Sequence, residues 1–166
     1  MFDLFFYWKI FVLWIHVITA SIWLGGLILT TVLNRTLRKS LGYEESYKVV
    51  RMVGYSFQKT MRYSLYIAIL TGILNVLNDT YFNLNFIFSQ HFIFSNFGIL
   101  VILKSAIALF VLIFAIYHTN IARLIPKMKE NNIVIKLRKR ITIVGWIAMI
   151  LTFILFLLGT ILVFIV

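Results

Sequence analysis

The chain has 166 residues, of which 62% are hydrophobic and 13% charged, with no Cys and a formal net charge of +11. One soluble domain of this length cannot hide that much apolar surface, which excludes a soluble enzyme, a disordered chain and a disulfide scaffold. The missing thiols also exclude Fe–S clusters, thiolate zinc sites and a CxxC copper relay, and leave an all-α integral membrane protein in a single membrane domain, 1–166.

A helix needs about 20 apolar residues to cross a bilayer core. Four stretches approach that length: about 6–32, 63–77, 97–122 and 141–166. No basic region precedes the first, its apolar run is long, and no small-residue cleavage site follows, so it reads as a retained span and not a signal peptide. The second is short, but a helical pattern extends it back to about residue 44. Val50, Val53, Gly54, Phe57 and Met61 recur at helical spacing, while Lys48, Arg51, Lys59 and Arg62 fall on another face. This predicts a cytoplasmic helix with a basic stripe at the headgroups, entered after a break at Gly42. The connection from Thr80 to Asn96 is rich in Phe and Tyr and reads as an interfacial cap. Pro126 and Asn131–Asn132 are expected to end the third span and turn the chain. Each half runs span, basic loop, span, which hints at a two-fold repeat.

Charge placement predicts topology. Seven Lys and Arg lie from Arg35 to Arg62 and seven from Arg123 to Arg140, whereas 78–96 holds none. The positive-inside rule makes both basic segments cytoplasmic and both termini extracytoplasmic. The expected architecture is a four-transmembrane-helix bundle in the plasma membrane. The net charge is then a topology signal, helped by anionic lipid in the bilayer, and implies no nucleic-acid partner.

Ionisable side chains inside a span cost about 2.5–3.5 kcal/mol each and call for a reason. His16 is near the middle of the first span. At 100° per residue it shares a face with Thr19, Ala20, Trp23, Leu27 and Thr30, with Gly26 flanking that face. Small residues let helices or a flat macrocycle approach, and imidazole ligates Fe, Cu and Zn. The plain alternative is a His hydrogen-bonded to a neighbouring helix. Lys104 lies about two turns inside the third span, at a depth similar to His16; it either snorkels to the interface or meets an anionic group in the interior. His118 is about 21 Å deeper on nearly the same face, as an interfacial His or a second metal site. His91, in the connecting loop, is solvated or a peripheral metal contact. Thr71, Asn75 and Asn78 form one polar stripe on the second span, and the fourth span reads as packing. The five acids, Asp3, Glu44, Glu45, Asp79 and Glu130, all fall outside the spans, which argues against a carboxylate relay.

Trp14–Ile15–His16 followed by Ile22–Trp23–Leu24–Gly25–Gly26 resembles the first helix of the copper-resistance-protein-D membrane family. Phe97–Gly98–Ile99–Leu100, Lys104 and Leu124–Ile125–Pro126 resemble a later helix of that family. The layout is also similar to the HemJ-type protoporphyrinogen oxidases, which bind b-type haem at a His in an early helix and carry a Lys opening a later one. That resemblance implies His16 as haem ligand and Lys104 as a second functional residue.

Three functions follow as expectations. The first is a haem b redox protein ligated by His16, with Trp23 and Gly26 beside the cofactor and Lys104 and Arg62 neutralising propionates. It would exchange electrons with quinone, a porphyrinogen or a partner subunit, and an oxidoreductase activity is open. The second is copper transport or resistance, with His91, His16 and His118 as a sparse path. Copper(I) prefers thiolate and thioether ligands, and no thioether ladder is visible. The third is a small structural subunit of a respiratory membrane complex.

Overall fold

A computed structural model of the chain describes residues 4–124 and 132–165. Pro126 and Asn131, expected to end the third span, lie outside the described residues, as do Lys127, Lys129 and Glu130.

Helix dominates because the apolar runs contain no internal Pro and, in a bilayer, every backbone group must be satisfied within its own segment. One helical run, Leu4–Asp79, is broken at Gly42, whose φ of 75° and ψ of −178° lie in a region open essentially to glycine alone. It therefore comprises two helices, α1 (4–41) and α2 (43–79). The expected break at Gly42 is present, and so is the helix running on from it into the second span. Two single-turn helices follow, α3 (Leu84–Ile87) and α4 (Gln90–Ile93), then the long helices α5 (Asn96–Leu124) and α6 (Asn132–Ile165).

Four segments are long and apolar enough to cross a membrane: Leu4–Leu37, Phe57–Asp79, Asn96–Ala122 and Lys139–Leu162. The second runs longer than the 63–77 read from sequence, because Gln58, Lys59, Thr60 and Arg62 dilute its start without interrupting the helix. Only 6% of the third window is buried by protein. The apolar side chains of these helices face outward, an arrangement suited to lipid tails and not to water.

The chain divides into two compact units, Met1–Leu84 and Asn85–Val166. The first contains the α1–α2 pair, packed antiparallel. Lys9 and Trp8 meet Asp79 and Asn78, His16 meets Ala68 and Thr71, and Gly26 meets Met61. Steps along α1 are thus matched by nearly equal steps back along α2. In the second unit α5 and α6 also pack antiparallel, with Lys104 against Gly159 and His118 against Gly145. The two halves share this hairpin plan, in line with the repeat read from the sequence.

The turn after α2 is closed by Phe82 N–H donating to Leu77 O (2.7 Å) and Tyr81 N–H to Asn78 O (3.2 Å). This is the Schellman arrangement, in which the residue at φ > 0 is usually Gly; here Tyr81 takes φ 50°. The Tyr81 ring stacks on Phe5, and the Lys9 ammonium sits 5.6 Å from its centroid, contacts that offset the backbone cost.

The aromatic segment is more ordered than a simple cap. Ser89 accepts from Phe92 N–H, and Ser95 accepts from Gly98 N–H to cap α5. Phe92, 3% exposed, packs edge-on to Phe86 and Phe97. A Cβ on Gly98 would collide with the Phe92 carbonyl oxygen, so only glycine fits there.

Candidate functional site

His16 is seated by residues of α2 that the primary sequence places more than fifty positions away. Its Nδ1 lies 2.8 Å from the backbone oxygen of Ala68 and 3.2 Å from the Thr71 hydroxyl oxygen. A carbonyl oxygen only accepts, so Nδ1 carries the proton and donates it. The Thr71 hydroxyl spends its own proton on Ile67 O at 2.7 Å, so it too accepts from the ring. With Nδ1 protonated, the neutral imidazole has its lone pair on Nε2.

The ring fits because the helix opposite is notched. A Cβ on Gly72 would be 3.1 Å from His16 Cε1 and 3.5 Å from Nδ1. On α1, Thr19 turns its hydroxyl back to Ile15 O and His16 O, which satisfies it locally. Trp23, on the His16 face two turns away, is buried at 7% exposure. Gly26 has a different neighbour: Met61, whose Cγ and Sδ would lie 2.7 Å from an added Cβ. Met61 is eleven residues before Gly72, about 16 Å along α2, too far for its sulfur to meet the metal that His16 would hold.

Two buried donors in this unit have no hydrogen-bond partner: Arg62 Nε and Asn78 Nδ2. Asn78 Oδ1 already accepts from Trp8 Nε1 at 3.2 Å, which fixes the amide's orientation. Asn78 is six residues beyond Gly72, about 9 Å along the axis; Arg62 is ten residues before it, about 15 Å. Asn78 is thus the donor closer to the His16 level, a role for which the sequence pointed only to Arg62 and Lys104.

In the second unit the Lys104 Nζ lies over α6, 3.4 Å from where a Gly159 Cβ would be. The head group meets a notch in the neighbouring helix, and none of the described carboxylates pairs with it. The His118 Nε2 and Cδ2 sit 3.9 Å from the corresponding point of Gly145. Lys104 and His118 are fourteen residues apart, and so are Gly145 and Gly159, as antiparallel packing requires. The fourth span, read as packing, supplies these two notches. His91 is exposed and tilted against the Phe86 ring at 6.3 Å. His91 and His118 are on separate helices and do not come together.

Comparison with known protein families, characterised proteins and solved structures finds no match. Among the described residues no three His, Asp or Glu gather as a metal site. A metal at His16 would need ligands that these side chains do not supply, and a porphyrin brings four nitrogens of its own. One oriented imidazole and one orphaned buried donor, Asn78 Nδ2, are compatible with such a group, whereas Arg62 lies on the far side of the His16 level and cannot reach the same anionic edge.

One ionisable side chain in the first span escaped sequence reasoning. Lys9 pairs with Asp79 at 3.0 Å, both about one-third exposed, and Asp79 is the last residue of the second apolar window. An acid thus does stand at a span end. The signal was present as one Lys near the start of the first span and one Asp at the end of the second, which face each other in a hairpin.

Proposed function

We propose that the chain is a multi-pass membrane protein that binds haem b through His16 and works in one-electron redox chemistry. The observation that supports this most is the His16 Nδ1–H donated to the Ala68 carbonyl. Metal-ligating histidines characteristically donate their second ring N–H to a carbonyl or carboxylate, which fixes the tautomer and raises the basicity of the ligating nitrogen. The similarity of layout to the HemJ-type protoporphyrinogen oxidases, a His in an early helix and a Lys opening a later one, points the same way.

The chain's own residues would act as follows. Ala68 O and Thr71 Oγ1 hold the ring proton at Nδ1. Gly72 leaves room for the imidazole, and Asn78 Nδ2 offers a hydrogen bond to a carboxylate. Bound haem would supply a reversible one-electron couple whose potential is tuned by burial and by the hydrogen bond behind the ligand. Both basic segments are read as cytoplasmic, with the protein in the plasma membrane and its termini on the far side.

The visible spectrum of the purified protein tests this. A Soret band is expected, lost in His16→Ala and kept in His91→Ala and His118→Ala. A colourless protein that binds copper would favour the transport reading instead.

A further inference from the structure

Where α6 approaches its apolar window it carries a groove that the haem reading does not use. The helix starts at Asn132 and the window at Lys139, so about 10 Å of helix precedes the segment of hydrocarbon length. That is close to the depth of a headgroup layer, about 5–8 Å per leaflet. Ile133, Lys136, Leu137 and Arg140 line a groove of about 170 Å³ there. Their offsets of three, one and three residues put all four on one helix face.

Two chemistries share this face. Lys136 and Arg140 are one helical turn apart and exposed, while Leu137 lies between them half-buried. Of the chain's five acids only Glu130 falls in this unit, so the basic segment far exceeds its own counter-charge. An Arg fork with a Lys ammonium one turn away suits a phosphate. A free phosphate has no use for the aliphatic lining, and a zwitterionic lipid brings a cation of its own into a field that repels it.

We propose that this groove holds one anionic phospholipid, with its phosphate between Lys136 and Arg140, its headgroup carbons against Leu137 and its ester end toward the apolar window. Ile133 closes the end farther from the apolar window. The lipid fixes the depth at which α6 enters the bilayer. The site is independent of His16 and of any cofactor there.

Native mass spectrometry of the full chain tests it, with the protein released from micelles containing phosphatidylglycerol and phosphatidylcholine of the same acyl composition. Phosphatidylglycerol is expected to be retained about tenfold over phosphatidylcholine. K136Q/R140Q brings the two to parity. The charge-matched pair K59Q/K139Q, exposed residues off this face, keeps the preference. Leu137→Ser lowers retention with no change of charge. Helical circular dichroism confirms that each variant is folded. An equal loss in both charge pairs would mean diffuse attraction and overturn the site. So would a preference that survives K136Q/R140Q, the absence of any preference, or displacement of the lipid by millimolar inorganic phosphate.

Discussion

An imidazole between two apolar helices loses hydrogen bonds to water, and α2 supplies Nδ1 with the Ala68 carbonyl and the Thr71 hydroxyl. Thr71→Val removes the hydroxyl and leaves the carbonyl. The Nδ1 proton is then held less strongly and the ring becomes a weaker donor at Nε2. In the haem-loaded protein the midpoint potential is expected to rise by some tens of mV in a redox titration, with the Soret band retained. Gly72→Ala presses a methyl group onto Cε1, and the ring must give by a few tenths of an ångström. Haem affinity measured by titration should fall about 10–100-fold, the usual cost of disturbing a ligand's support. His16 and the stripe carrying Thr71 and Asn78 were legible from helical spacing. Gly72, Gly145 and Gly159 were not, because a notch has meaning only once the register between helices is known. Lys9 was missed for the same reason: its partner Asp79 is seventy residues away.

Among the elements, two glycines fix the chain path for different reasons. At Gly42 the constraint is dihedral: nothing lies within 4 Å of an added Cβ, but a φ of 75° with an extended ψ penalises any side chain. Gly42→Ala is expected to destabilise the break by about 1–3 kcal/mol. The readout is a lower thermal midpoint in detergent, with helical circular dichroism unchanged below it. At Gly98 the constraint is steric, since an added Cβ meets the Phe92 carbonyl. Gly98→Ala must push α4 away from the start of α5. Protease cleavage within 84–95 should accelerate while the long helices stay protected. The sequence marked Gly42 as a break because a lone glycine punctuates a basic stretch. It carried no sign of the Ser89 and Ser95 caps as such, because their serines lie among aromatic residues that read as an interfacial belt.

For the whole molecule, the hydrophobic run lengths made four spans and their order legible, since crossing a bilayer imposes a length that composition reveals directly. The division into two hairpins was only hinted at, by the repeated order of span, basic loop and span. The orientation read from charge has a direct test, because the chain has no Cys to interfere. Ser40→Cys is expected to be shielded in intact cells from a membrane-impermeant maleimide, and Phe88→Cys to be labelled. The reverse pattern would invert the topology.

In the haem-loaded protein one particular nitrogen, Nε2 of His16, is expected to ligate the iron. The most direct test is pulsed electron paramagnetic resonance of the ferric protein grown with ¹⁵N-histidine. ¹⁵N couplings from His16 are expected, and they persist in the variants His91→Ala and His118→Ala. A ferric signal without a histidine coupling, or one whose coupling disappears with His118 and not with His16, would contradict it.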